Sequence, residues 1–398
     1  MKKNPISFEK NKTCCVCDDP GLVTVIELPR LPLTGIYLEP GDETTFDNVD
    51  QALLLCPRCG HAQLWNVLDP EFVYGYTYTH RSSMSASAVA GNHFFLEFLN
   101  KVAPKDRFRC VVEVGCNDLY LLKKLEKRAD RLYGIDPVLD PDSCPSGSPI
   151  RTIGKFIEEV DYRSEIGERP DLIISSHAFE HLGSPKIEVE RLVENAAENA
   201  LFVLEVPAFD TLLARARLDH VFHQHLQYFS LASLSRLFAS AGCEYVSHTF
   251  NQTYWGGTIL MAFRKSRSEK RVCPAFAMPR EATVRRAHTL FMKQMELAMH
   301  TVESYAGVPC YGYGAAQMVP ILAYHLHSDL SFMESILDDD PRRAGLKYPN
   351  LPVSILTPNV HTVDGALVVV MAIDNMRPIL RKLLGFSPLH ILTLLNGF

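Results

Sequence analysis

The chain has 398 residues, enough for two or three domains. Its formal charge of −6, from 40 Lys and Arg against 46 Asp and Glu, provides no field that favours nucleic acid. No apolar stretch reaches membrane-spanning length, and the start, MKKNPISFEKNK, lacks the apolar core of a signal peptide. The expectation is a cytoplasmic protein that handles a small molecule. Of 11 cysteines, four fall in two C-x-x-C pairs and the rest are scattered. That pattern fits metal binding and free thiols rather than a disulfide framework.

The first informative segment spans residues 13–60. Cys14 and Cys17 form one pair, Cys56 and Cys59 the other, with Gly60 directly after. Two such knuckles supply four thiolates in a tetrahedron, which suits a structural zinc without an open position. Cys15 has the wrong spacing, and His61 is unnecessary as a fifth ligand. The segment DPEFVYGYTYTHRSS (69–83) follows, in which Tyr74, Tyr76 and Tyr78 alternate as on one strand-like face. It reads either as a packing edge or as a polar-aromatic segment closing over a substrate. A helix is expected over Ala88–Val102, with Phe94, Phe95, Phe98 and Leu99 on one side.

The organising stretch is VVEVGCNDLYLLKKLEKRADRLYGIDP, residues 111–137. Val111–Val114 reads as a buried parallel strand that breaks at Gly115. A helical stretch with Leu121, Leu122 and Leu125 follows, then a strand over Arg131–Ile135 that ends on Asp136, 23 residues after Glu113. Strand, glycine turn, helix, strand and acid make a nucleoside site: the glycine admits close backbone approach, and the acid accepts ribose hydroxyls. The G-x-G-x-x-G dinucleotide fingerprint is absent. Glu113, Gly115, Asn117 and Asp118 resemble motif I of class I S-adenosylmethionine (SAM) methyltransferases.

Further along, Phe156 falls where a third strand's end would meet an adenine ring. The strand Leu172–Ser175 runs into His177, Glu180 and His181, polar residues at a carboxyl end where ligands bind in α/β sheets. Helix 185–198 and strand Leu201–Val206 come next. DHVFHQHLQYFS then places His220, His223 and His225 in a loop before a helix that begins at Ser230. These histidines suit metal ligation, general-base work or a hydrogen-bonded loop core. YWGGTILMAF (254–263) reads as a late strand in which Gly256 and Gly257 allow close backbone approach. The remainder, from about 270, holds a long amphipathic helix (280–306), a strand over Val308–Tyr311, a second glycine turn at Gly314 opening a helix, and strands at Ser335–Leu337 and Ala366–Met371. This is a second, smaller Rossmann-like unit whose turn could hold a phosphate at a helix N-terminus.

The order of these features resembles the zinc-binding, SAM-dependent sugar C-methyltransferases that act on nucleotide-linked deoxy-keto-sugars. The resemblance covers nearly the whole chain and rests on the two C-x-x-C pairs, EVGCND (113–118), the His177–His181 strand end, FHQH (222–225), Gly256-Gly257, and YGYGAA with its DDDP turn. It implies an α/β protein of three parts: a zinc-binding domain (1–80), a class I SAM methyltransferase domain (81–268) and a C-terminal Rossmann-like domain (269–398). SAM would lie against Glu113, Gly115, Asn117, Asp118, Asp136, Phe156 and His177. A nucleotide sugar would lie between the central and C-terminal domains, against Tyr76, Tyr78, His223, Gly256, Gly257 and Gly314. His225 would be the base that removes the proton beside the keto group, with Gln224 and His181 at the reacting centre. Zinc would sit on Cys14, Cys17, Cys56 and Cys59. The chain departs from the family pattern in its loop, commonly Y-x-E-H but here Phe222-His223-Gln224-His225, so both phenol and carboxylate are missing. Leu119 replaces the glycine usual after the motif I acid, and Gln317 replaces a lysine.

Overall fold

The computed structural model describes residues 7–70, 83, 85–103, 107–139, 144, 147–253, 255–266, 274–359 and 361–395. The expected Tyr76 and Tyr78 face lies outside these residues. The zinc-binding part is built on antiparallel strands β1 (Val23–Leu31), β2 (Val49–Leu55) and β3 (Ala62–Leu64), with the knuckles at their ends.

Helix α1 (Ala86–Val102) opens on Ser85, whose hydroxyl accepts the Ala88 amide, and it buries Phe95, Phe98 and Leu99. Strands β4 (Phe108–Val114), β5 (Ala129–Ile135), β6 (Ile150–Ile153), β7 (Leu172–Ser176) and β8 (Leu201–Pro207) are parallel neighbours. Between β7 and β8 runs helix α2 (Pro185–Asn195). The helix expected after motif I is a single turn, Tyr120–Lys123, followed by a 3₁₀ turn at Glu126–Arg128. Leu121, Leu122 and Leu125 are nonetheless fully buried, so the apolar spacing serves packing more than helix length.

Next comes β9 (Gln227–Tyr228), then helix α3 (Leu231–Ser240), whose first turn is closed by reciprocal Ser230–Ser233 bonds. Strands β10 (Cys243–Asn251) and β11 (Thr258–Lys265) complete the central sheet: β11 runs antiparallel to both β8 and β10, so β10 regains the direction of the other strands. Among the described residues that sheet has the order β10-β11-β8-β7-β4-β5-β6. The chain reverses direction across the sheet between β4 and β7, so a ligand crevice opens at their carboxyl ends. Strand β9 does not join this sheet; it pairs antiparallel with β3. The histidine loop is thus stitched into the sheet of the zinc-binding part.

The C-terminal part starts with the long helix α4 (Glu281–Ser304), which buries Val284, Ala287, Phe291, Met295 and Ala298 along one face and packs on β1. Strands β12 (Cys310–Tyr313), β13 (Ser335–Leu337), β14 (Ile355–Leu356), β15 (Leu367–Val370) and β16 (His390–Thr393) form a parallel sheet ordered β14-β13-β12-β15-β16. Its switch point lies between β12 and β15, beside Gly314. The helix after this turn covers only Val319–His325, so Gly314 does not open directly onto a helix N-terminus as expected.

Candidate active site

The crevice beyond β4 and β7 is one continuous cavity of about 1550 Å³ that extends to the C-terminal sheet. Single ligands occupy roughly 300–1,000 Å³, so this space suits a cofactor and a second molecule together.

Its first region is built on motif I. Gly115 has φ +75°, and a Cβ there would lie 2.4 Å from that of Ala178. The left-handed conformation and the close approach both require glycine. Asp136, at the end of β5, accepts the Asn117 amide at 2.8 Å and the Val138 amide at 3.0 Å. Glu113 is buried with Oε2 lacking a hydrogen-bond partner, and burial, reinforced by Asp136, pushes its carboxyl well above the usual range. A buried carboxyl oxygen without a partner, beside a bare glycine backbone and a ribose-type acid, fits a cofactor that carries an amine and hydroxyls. Phe156 lines the same region. Asp118 turns aside: its Oδ2 accepts the Ser83 amide at 2.9 Å. Leu119 takes φ +65°, the conformation that the usual glycine would adopt freely, and packs fully buried.

The second region is the histidine cluster. His177, itself at φ +54°, donates from Nδ1 to Glu180 Oε1 at 3.1 Å. Burial lowers its pKa, but the Glu180 hydrogen bond and charge outweigh this and hold the imidazole above its usual range, with Glu180 correspondingly lowered. His181 donates from Nδ1 to the Gln224 carbonyl at 2.7 Å. The His225 ring lies 4.2 Å from that of Phe222 and 5.1 Å from that of His181, centroid to centroid. Burial, with three neighbouring imidazoles, keeps His225 far below its usual pKa, so it is a neutral acceptor. Glu113, Gly115, Asn117, Asp136, Phe156, His177, Glu180, His181, Phe222 and His225 line the cavity, and so do Gln224 and Gly314, whereas Asp118 and Leu119 do not.

Other expected contacts fall elsewhere. His223 points into the zinc-binding part, donating from Nε2 to the Leu31 carbonyl at 3.0 Å and accepting from Gln51 at 3.4 Å. Gly256 and Gly257 are absent from the cavity wall; a Cβ on Gly256 would meet His220 and Arg217, and one on Gly257 would meet Thr211. They allow backbone to cover a buried charge network. In it Arg217 makes a bidentate pair with Asp219, donates to His220 Nε2 at 2.8 Å and reaches Asp374 of the C-terminal part at 2.9 Å. Arg217 and Asp374 carried no signal in the sequence, because a lone Arg or Asp in a loop reads as solvated surface.

The third region repeats the first. A Cβ on Gly314 would lie 2.4 Å from that of Ala372, as Gly115 does from Ala178. Asp338, at the end of β13, accepts the Ala315 amide at 2.6 Å and the Asp340 amide at 2.9 Å, as Asp136 does for Asn117 and Val138. Arg343 adds a bond to Asp338, at 3.1 Å, and lines the cavity. The sequence flagged Gly314 and the DDDP turn, but not that Asp338 closes back onto the glycine turn.

The four knuckle sulfurs lie within 4.8 Å of one another, with Cys14 to Cys59 at 3.5 Å and Cys17 to Cys56 at 3.6 Å. Tetrahedral zinc at Zn–S of about 2.3 Å separates sulfurs by about 3.8 Å, so the donor set and spacing fit that ion. Cys15 faces Asn11 and Gly183 instead, and His61 donates to Gln227 at 2.8 Å. Gln227 belongs to β9, so the knuckle after Cys59 leads through β3 directly to the loop that carries His225.

Residues 14–74 match a family model described as "Putative zinc binding domain", and residues 87–248 match one described as "Methyltransferase domain". A curated relative, "C-methyltransferase NovU" of Streptomyces niveus, is 26% identical over 276 residues. The match covers 66% of this chain and 63% of the relative, so the chain spans less than two thirds of that protein's length. Solved structures that align include the N-methyltransferase NodS of Bradyrhizobium japonicum WM9 in complex with S-adenosylhomocysteine, at TM-score 0.36 and 18% identity over 46% of this chain and 88% of that one. A Burkholderia thailandensis 1,6-didemethyltoxoflavin-N1-methyltransferase aligns at TM-score 0.35 and 17% identity, over 46% and 79%. The chain thus joins an N-terminal segment similar to a zinc-binding domain to a segment similar to a methyltransferase domain.

Proposed function

We propose that this protein methylates a carbon atom of a nucleotide-linked keto-deoxysugar, with SAM as donor and His225 as base. The single observation that carries the reading is the continuity of the cavity. One space joins a nucleoside-type pocket at Asp136, a neutral histidine at its centre and a second nucleoside-type turn at Asp338. A donor nucleoside at one end and a nucleotide-bearing acceptor at the other would meet at His225. The name of the Streptomyces relative and the resemblance of the sequence to sugar C-methyltransferases support carbon as the acceptor.

Glu113, the Gly115 backbone, Asn117, Asp136 and Phe156 would hold SAM, whose sulfonium makes its methyl group electrophilic. The keto group makes the neighbouring C–H acidic, and His225 takes that proton onto a ring nitrogen. Gln224, in place of the family's carboxylate, supplies an amide that donates to the developing enolate oxygen. The enolate carbon would then form the new C–C bond to the methyl group as the sulfonium S–CH3 bond breaks, its electron pair passing to sulfur to leave S-adenosylhomocysteine. His181 is held by the Gln224 carbonyl and so orients the loop. Phe222 packs on the His225 ring and excludes water from one face.

The test is incubation of nucleotide keto-sugars in heavy water with SAM bearing a deuterated methyl, read by mass spectrometry. Labelled product, together with His225-dependent solvent exchange into unreacted sugar, is the expected result. Label on oxygen without exchange would replace this reading with O-methylation, and no transfer to any sugar would overturn it.

A further inference from the structure

Glu180, His181 and His225 come from two separate chain segments, and their ligand atoms lie within 4.8 Å of one another at the cavity wall. Glu180 is only 1% exposed. Its Oε1 is held by His177, while Oε2 is buried with no hydrogen-bond partner. Leaving a carboxylate oxygen unpartnered in a dry site is costly unless something cationic or protic completes it. His181 has its Nδ1 fixed on the Gln224 carbonyl, the arrangement that orients a metal-bound imidazole from behind and turns its other nitrogen toward the ion.

We propose that Glu180, His181 and His225 form a second metal site, separate from the four-cysteine site, for a divalent transition ion of the zinc or cobalt type. Two imidazoles and one carboxylate select such ions over magnesium or calcium, which favour all-oxygen sets. Three protein ligands leave one position open to the cavity. A ring nitrogen of His225 bonded to metal has no lone pair with which to take a proton. On the reading of His225 as base, occupancy therefore silences methyl transfer, and the site is inhibitory. The four-cysteine ion is unaffected because its ligands belong to a different part of the chain.

The experiment is cobalt titration of the full-length zinc-loaded protein, followed by the weak visible bands of nitrogen- and oxygen-ligated cobalt and by elemental analysis after dialysis. One further equivalent should bind to the native chain, with the original zinc retained. Glu180→Gln and His181→Ala should each weaken that equivalent by at least tenfold, while zinc stays at one per chain. Absence of a second equivalent, or its survival in both variants, overturns the site. Circular dichroism identifies a variant that fails to fold, and the second variant then decides. Inhibition is read separately: methyl transfer should fall in step with the visible bands and return on mild chelation. Cobalt binding with undiminished transfer would refute the inhibitory role, whereas cobalt binding in a protein with no sugar activity would refute the proposed reaction and leave the site standing.

Discussion

Arg217, buried in the histidine loop, donates a 2.9 Å hydrogen bond to Asp374 of the C-terminal part. The same guanidinium grips Asp219 with two bonds and His220 with a third. One fully buried cation thereby fixes the loop and fastens a second sheet to it. Breaking a buried pair leaves the other charge uncompensated, at a cost of about 3–5 kcal/mol. Arg217→Ala should lower unfolding stability by that order in urea titrations. Arg217→Met combined with Asp219→Leu should recover part of the loss, since no charge is then stranded. A double variant no more stable than the single one would mean that the loss arises from packing. Asp374→Ala is expected to be milder, because Asp219 still neutralises the arginine, and to raise the substrate KM while SAM affinity holds.

Zinc should matter for chemistry more than for the cofactor. The knuckle at Cys56–Cys59 leads through Ala62–Leu64 to Gln227–Tyr228, two residues beyond His225, and Leu64 donates its amide to the Leu226 carbonyl at 2.9 Å. The proposed SAM region stands on the central sheet, which the knuckle cysteines meet through apolar packing rather than through this run of strand pairing. Stripping the four-cysteine zinc with a strong chelator should therefore reduce methyl transfer by at least tenfold, since misplacing a catalytic group by about 1 Å costs about 100-fold. SAM affinity by calorimetry should change less than about threefold, an energy of about 0.65 kcal/mol. Equal loss of both would mean that the zinc supports the whole fold.

The two glycine turns permit a crossed test. Gly115→Ala and Gly314→Ala each place a methyl group where only 2.4 Å separates it from another Cβ, at φ +75° and +94°. Gly115→Ala should weaken SAM by at least tenfold and leave nucleotide affinity intact; Gly314→Ala should do the reverse. Calorimetry with SAM and with a nucleoside diphosphate, on both variants, checks the assignment of each end of the cavity. Swapped losses would exchange the two ligands.

Leu119 allows a prediction in which two effects compete. Its φ of +65° costs a non-glycine residue about 1–2 kcal/mol. Its side chain, 1% exposed and seated where Gly134 leaves room, contributes about 2–5 kcal/mol on the scale of Leu→Ala changes. Packing wins, so Leu119→Gly should destabilise the protein by about 1–3 kcal/mol in spite of restoring the glycine usual in the family that the sequence resembles. A variant as stable as the native chain would show that the strain is the larger effect.

The sequence revealed those parts of the site whose chemistry is local. Cys14, Cys17, Cys56 and Cys59 stand at knuckle spacing, and Glu113, Gly115 and Asp136 occupy one strand–turn–strand unit, so short-range pattern was sufficient. Residues whose roles depend on distant partners were not legible. His223 and His225 are two positions apart and look alike, yet one faces Leu31 and the other the cavity, a distinction made by the pairing of Gln227–Tyr228 with Ala62–Gln63. Gly256 and Gly257 read as substrate contacts because glycine signals close approach; what approaches is Arg217, His220 and Thr211. The second sheet was legible as a Rossmann-like unit, but the bond from Ala315 to Asp338 joins residues 23 positions apart and has no pattern of its own.

Glu113, a proposed SAM contact, makes stability depend on pH. Burial is the main cause that raises its carboxyl above the usual value, with Asp136 adding to it. In the unfolded chain the group releases its proton near pH 4.3, whereas in the folded cofactor-free protein burial holds the proton to a higher pH. Stability from this group is therefore fully present below about pH 4.3 and declines as pH rises toward the folded pKa, because the unfolded state alone gains by ionising. Glu113→Gln removes the ionisation from both states. Without SAM the variant should melt higher than the native chain at pH 8, and its Tm should fall less between pH 5 and pH 8. With saturating SAM the order should narrow or reverse, as the native carboxyl gains a polar partner that glutamine matches poorly. Thermal melts at four pH values, with and without SAM, check both halves. A native chain that gains stability from pH 5 to pH 8 relative to Glu113→Gln would show that Glu113 is ionised in the folded protein, with a counter-charge that holds it so.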